Sequence, residues 1–307
     1  MTSTGNNIVI TSPQIFEDLK NILMRKKAGE DTMSVNETGW EQNRRSHFDE
    51  IVETYARVRP EYPRELIEDV FKYAGAGKTA LEIGAGTGIA TAPFLAAGYD
   101  VTAVEIGANM TEFLNERFRG NDCFRVITSS FEESPLPENS FDLIYAASAF
   151  HWVDAKIGCP KAFGLLKDGG ALALFRYNAF PAYEDELFND IQAEYDKHFY
   201  THFKATESRP HRKTLEEFNT PAEIYSSYRC ERLENYGFKD VQMKLYYGEK
   251  MFSAEEYLMV LDTYSDMRIL PEGNRTALYA GVKAAIERHG GYHKIRYDFQ
   301  LYTGRKV

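Results

Sequence analysis

The sequence predicts an α/β fold with a doubly wound sheet. Three observations carry this prediction. Short apolar runs alternate with longer stretches of helical spacing through the middle of the chain. Three glycines, Gly84, Gly86 and Gly88, separate the first such run from an alanine-rich segment. The next run, 101–104, ends on an acid, Glu105. Strand, glycine turn, helix, strand and acid form a βαβ unit suited to a nucleoside.

Each part of that unit has a physical reason. Glycine lets the chain turn tightly and lets a ligand approach bare backbone. A helix beginning near Ile89 directs unpaired N–H groups and a partial positive charge into the turn. Glu105 stands where a carboxylate can accept hydrogen bonds from two adjacent ribose hydroxyls. The spacing is G-x-G-x-G, and Ile89 occupies the position of the last glycine of the dinucleotide fingerprint G-x-G-x-x-G. Glu82, one residue before the first strand ends, would repel a pyrophosphate and hold an amino group. A ligand with a ribose, an ammonium and no phosphate is S-adenosylmethionine.

On these residues, LEIGAGTG followed by VTAVEIGANM, the chain resembles the class I S-adenosylmethionine-dependent methyltransferases. The likeness runs from about His47 to the C-terminus. Its pattern is similar to that of the small-molecule group that includes trans-aconitate methyltransferase. The resemblance implies a seven-stranded sheet whose last strand is antiparallel, with helices on both faces and a helical cap insertion. It also implies donor contacts from Gly84, Gly86, Thr87, Gly88, Glu105 and Ile106.

In chain order, residues 1–44 read as an N-terminal extension, with a short amphipathic helix over 13–27. The core spans 45–178. Phe48, Ile51, Val52 and Tyr55 share a helical face, the run Arg59-Pro60-Glu61-Tyr62-Pro63 breaks the helix, and Leu66, Ile67, Val70 and Phe71 restart it. The family's similar entrance motif implies that Tyr55 and Arg59 lie over the methionine end of the donor. A ring beside a sulfonium gives cation–π attraction, and an arginine can clamp a carboxylate of donor or substrate. Met110 falls on the first turn of the helix after Glu105, where the resemblance sets it against the adenine. A third strand covers 124–128. Ser130 stands where many relatives have an Asp for the adenine amino group, and the Phe131 N–H can serve a ring nitrogen.

The fourth strand, 141–146, runs into Ala147-Ser148-Ala149-Phe150-His151-Trp152, a stretch close to that of the trans-aconitate group. Small residues at Ala147 and Ser148 leave room for a reacting methyl, and Phe150 supplies bulk against the donor. His151 can act as general base, contact donor or substrate, or fix the loop. A helix over 157–166 is expected to end in a glycine cap at Lys167-Asp168-Gly169-Gly170, followed by a fifth strand over 171–175. The aromatic segment 179–235 reads as the cap insertion. Residues 236–307 complete the sheet and acceptor pocket, with a strand over 241–250, a capping box from Ser253 to Glu256, a helix over 277–289 and an alternating last strand over 295–303.

Composition sets limits. The chain has 307 residues, 36 basic and 46 acidic, for a formal net charge of −10. An extended nucleic-acid surface would need basic clustering, so no nucleic-acid partner is expected. Three scattered cysteines suggest neither a disulfide framework nor a metal site. No signal pattern or membrane-spanning run is evident, so a cytoplasmic protein without a membrane partner is expected, as monomer or homodimer. The expected activity is methyl transfer from S-adenosylmethionine to a small molecule, at a carboxylate or other anionic oxygen, with Tyr55 and His151 as candidate catalytic residues. Arg59, Arg176 and Arg229 are candidates to neutralise the acceptor. A donor-binding sensor without catalysis and a nicotinamide-dependent oxidoreductase are the competing readings.

Overall fold

The computed structural model describes residues 52–181, 186–203 and 232–307. The expected helix over 13–27, the start of the entrance helix and much of the cap insertion, with Arg229, lie outside the described residues. The described part contains a seven-stranded mixed sheet of order β3-β2-β1-β4-β5-β7-β6, with β7 antiparallel. The strands are β1 (Thr79–Ile83), β2 (Asp100–Glu105), β3 (Phe124–Thr128), β4 (Phe141–Ala147), β5 (Leu166–Pro181), β6 (Lys239–Ser253) and β7 (Tyr292–Arg305).

Two compact units divide the chain. The first holds 40–177, 221–246 and 299–307. Its entrance consists of α1 (Val52–Val58) and α2 (Arg64–Ala74), separated at the proline-rich break. β1 pairs in parallel with β2 on one side and β4 on the other, and β2 with β3. The crossovers are α3 (Thr91–Ala96), α4 (Ala108–Arg117) and α5 (Ala155–Leu165). Strands covered on both faces are near-continuous apolar runs. Leu81, Ile83, Ile144, Leu172 and Leu174 accordingly form one core with Phe150, Cys159 and Phe238.

Three expectations need correction here. First, α5 ends at Leu165, because Leu166 is extended and pairs with Phe141 as the start of β5. Gly169 does take a positive φ of 78°, but its N–H donates to the Lys306 carbonyl of β7, so it serves a turn within the sheet instead of a helix cap. Second, β7 alternates only near its start and is buried throughout from Tyr297 to Thr303. It lies between β5 and β6, so both its edges are paired, and burial of consecutive residues, which point to opposite faces, means that both faces are covered there. Third, α3 begins at Thr91, two residues later than expected, and is only six residues long.

The second unit holds 178–220 and 247–298 among its parts. In it α6 (Glu186–His198) buries Leu187, Ile191 and Tyr195, spaced four apart on one face, in a core shared with Leu278, Val282, Ala285 and Ile286 of α10 (Glu272–Arg288). Gly281 permits the approach, since a Cβ there would meet the Glu194 side chain. Between them come α7 (Tyr200–Phe203), α8 (Ala254–Asp262) and α9 (Ser265–Ile269). Ser253 and Glu256 form the expected reciprocal capping box on α8. No helix among the described residues is long and apolar enough to cross a membrane.

Candidate functional site

A cavity opens within the first unit at the C-terminal ends of β1, β2, β3 and β4, where open α/β sheets bind ligands. Of the sequence candidates, Tyr55, Arg59, Gly84, Gly86, Thr87, Glu105, Ile106, Met110, Ser130, Phe131 and Ala147 line it. Glu82, Gly88, Phe150 and His151 do not.

The turn after β1 is built on positive φ angles at Gly84, Gly86 and Gly88. A Cβ on Gly86 would meet nothing, so the backbone there borders open space. A Cβ on Gly88 would strike Phe118 and Leu114, so the third glycine lets α4 pack closely and does not face the cavity. Arg117 of α4 donates to the Thr87 carbonyl at 2.6 Å and steadies the turn from behind. Thr87 Oγ1 is buried beside the cavity with no hydrogen-bond partner.

Glu105 is held rather than free to swing. Its Oε2 accepts from the Gly86 N–H at 2.8 Å and its Oε1 from the Gly107 N–H at 3.0 Å. Carboxylate oxygens have lone pairs to spare beyond these bonds, so the group can still accept from a diol at the cavity.

Glu82 departs from the reading that it meets a ligand's amino group. It is fully buried, and its Oε2 accepts from Thr91 Oγ1 at 2.6 Å and from Tyr145 Oη at 2.9 Å. Its Oε1 is buried without a hydrogen-bond partner. Burial pushes the Glu82 carboxyl up to about 7, against the opposing pull of the two hydroxyl donors.

At the entrance, the Arg59 guanidinium lies 4.8 Å from the centre of the Tyr55 ring, and its Nη1 donates to Tyr177 Oη at 2.9 Å. One cation therefore already rests against Tyr55. Arg176 does not line the cavity. Phe150 is part of the core, while Trp152, in the 3-10 turn Phe150–Trp152, lines the cavity. The His151 ring tilts against Trp152 with centroids 5.1 Å apart.

Sequence reasoning missed Tyr62 and the hydroxyl of Ser148. The two are hydrogen-bonded at 2.8 Å and both line the cavity. Tyr62 sits in the helix break, which read only as punctuation, and nothing local links it to a residue at the end of β4. Among the described residues, no group of three His, Cys, Asp or Glu could hold a metal ion.

The cavity fits S-adenosylmethionine on structural grounds: an open glycine backbone, an unpartnered Thr87 hydroxyl and a fixed carboxylate at Glu105. Comparison with known proteins agrees. Residues 81–174 match the methyltransferase domain family model. An uncharacterized methyltransferase of Mycobacterium bovis is 35% identical over 127 residues, covering 41% of this chain and 50% of its own length. The chain thus spans about half the length of the curated relatives it matches first. An uncharacterized methyltransferase of Schizosaccharomyces pombe is 25% identical over 249 residues, covering 78% of this chain and 87% of its own. In fold, the chain is similar to a protein of Anaeromyxobacter dehalogenans assigned as a type II methyltransferase, with a TM-score of 0.57 and 21% identity over 81% of this chain and 98% of that one. The matched domain carries the glycine turn and Glu105, the residues on which the chain resembles the class I S-adenosylmethionine-dependent methyltransferases.

Proposed function

We propose that this protein transfers a methyl group from S-adenosylmethionine to a small molecule, at a carboxylate or other anionic oxygen. The observation that carries the reading is Glu105, a carboxylate at the cavity fixed by the amides of Gly86 and Gly107. A fixed acceptor of hydrogen bonds beside an open glycine backbone selects a sugar diol and disfavours a phosphate. Ile106 and Met110 offer apolar surface on the same side, and Ser130 and Phe131 offer a hydroxyl and a backbone amide for a base.

When bound, the donor would supply a methyl on a sulfonium, which an oxygen lone pair of the acceptor would take while the S–C electron pair stayed on sulfur. A carboxylate acceptor needs no proton removed. The protein's task is then to align the two molecules and exclude water. Arg59 is the one basic side chain among the described residues that line the cavity, and it favours a negatively charged partner.

Calorimetric titration tests the donor. Binding of S-adenosylmethionine and S-adenosylhomocysteine is expected, with no competition from NADH. Preference for NADH, or no binding of either adenosyl compound, would overturn the reading.

A further inference from the structure

The sheet order divides the cavity. Glu105, Ile106, Ser130 and Phe131 lie at or just beyond the ends of β2 and β3, on one side of β1. Ser148 follows β4 and Tyr177 lies on β5, on the other side. If the nucleoside takes the first side, as the proposed function requires, the second is left for the acceptor.

That second side carries hydrogen-bond donors and rings. Ser148 is locked at φ 52°, a strained conformation for a residue other than glycine, and its N–H donates to the Phe175 carbonyl at 2.7 Å. Tyr62 meets the Phe175 ring edge-on, centroids 4.9 Å apart, and the Tyr177 ring at 6.1 Å. Tyr62 and Ser148 share one hydrogen bond but own two hydroxyl protons. Whichever donates, the other proton remains to be given. The acids lining the cavity, Glu105 and Glu132, stand on β2 and just after β3.

We infer that the Ser148–Tyr62 pair anchors the acceptor by donating a hydrogen bond to the carboxylate of a flat, apolar monocarboxylic acid, whose charge Arg59 complements. The rings of Tyr62, Trp152 and Tyr177 supply the walls for the flat body, and a single lining cation suits a single negative charge. Burial holds the Tyr62 hydroxyl well above the ordinary phenol range, so the pair stays protonated and gives hydrogen bonds without taking a proton. An acceptor that arrives already ionised matches that behaviour; one that must first be deprotonated does not.

The test uses cinnamate and its uncharged analogue cinnamamide, titrated into the full-length protein saturated with S-adenosylhomocysteine. The wild type is expected to bind cinnamate about tenfold tighter than cinnamamide or better. Ser148→Gly keeps the backbone N–H and relieves the positive φ, so its Tm should hold or rise while cinnamate affinity falls about tenfold. Tyr62→Phe should lose a similar factor. S-adenosylhomocysteine affinity should stay unchanged in both. Equal binding of acid and amide, or unchanged cinnamate affinity in Ser148→Gly, would overturn the assignment. A matching loss of S-adenosylhomocysteine affinity would also overturn it, by moving the pair to the donor. A wild type that binds no S-adenosylhomocysteine at all removes the donor reading as well, and that result is distinct from the others.

Discussion

Tyr145 donates its hydroxyl to the Glu82 carboxylate at 2.9 Å, from the position directly opposite on the neighbouring strand. Phe94 stacks on the Tyr145 ring at 3.9 Å and 8°, and Thr91 supplies the second donor to Glu82. The acid that begins the glycine motif thus braces β1 against β4 and α3, beneath the cavity floor.

This bracing has a pH signature. The folded-state pKa of Glu82 is about 7, against an ordinary value of 4.5, with burial as the main cause. The folded protein therefore holds the proton more tightly than the unfolded chain. By linkage, stability falls as pH rises from 4.5 through 7 and then levels off. The displacement corresponds to about 3 kcal/mol for this one group. Glu82→Gln keeps an oxygen for Thr91 and Tyr145 and carries no charge. In urea denaturation at pH 5.5 and pH 8, the wild type should lose stability between the two while the variant loses about 2 kcal/mol less, since part of the full displacement lies below pH 5.5. Parallel losses in both proteins would refute the bracing account.

Glu105 plays the opposite part, with its carboxylate open to the cavity and pinned by two amides. In Glu105→Gln the new NH₂ must face one of those amide donors, and a ribose loses one acceptor. Affinity for S-adenosylhomocysteine should drop about thirtyfold, or about 2 kcal/mol. Calorimetry reads this directly, and circular dichroism should show the fold intact.

Gly86 separates strain from occlusion. An alanine there would sit at φ 55° with its methyl in open space at the cavity. The conformational cost is about 1–2 kcal/mol. Gly98, at φ 79° after α3, has equally open surroundings but does not line the cavity. Gly86→Ala and Gly98→Ala should therefore lower Tm by similar amounts, and only Gly86→Ala should weaken S-adenosylhomocysteine binding. Equal affinities in the two variants would mean that the ligand approaches elsewhere.

Much of this is legible in the sequence. The strands over 124–128 and at 141–146, the proline break before Arg64 and the Ser253 capping box all rest on local pattern, and local pattern suffices for them. What failed depended on tertiary context. The segment 167–170 has the glycines of a helix cap, yet Leu166 is drawn into pairing with Phe141, and Gly169 turns toward β7. Glu82 reads as a ligand group because its position in the motif says nothing about Thr91 and Tyr145 closing over it. The Tyr62–Ser148 bond spans 86 residues and has no local trace.

The run Phe150-His151-Trp152 shows the same limit and yields the last prediction. In a 3-10 turn the side chains point about 120° apart, so three adjacent residues face three directions. Phe150 goes to the core against Gly158, where a Cβ would come within 3.3 Å of its ring. Trp152 goes to the cavity, and His151 lies beside it without lining it. The sequence offered bulk and a titratable ring at this place but not which residue would present either. Phe150→Ala should therefore act on stability, lowering it by about 3–5 kcal/mol as a buried aromatic truncation. Trp152→Ala should alter cavity binding, with cinnamate affinity in the S-adenosylhomocysteine complex falling several-fold at little cost in Tm. His151→Gln should change both by less than twofold, measured by calorimetry and thermal denaturation. Should His151→Gln abolish ligand binding while Trp152→Ala leaves it intact, the two rings would have to exchange their assigned places.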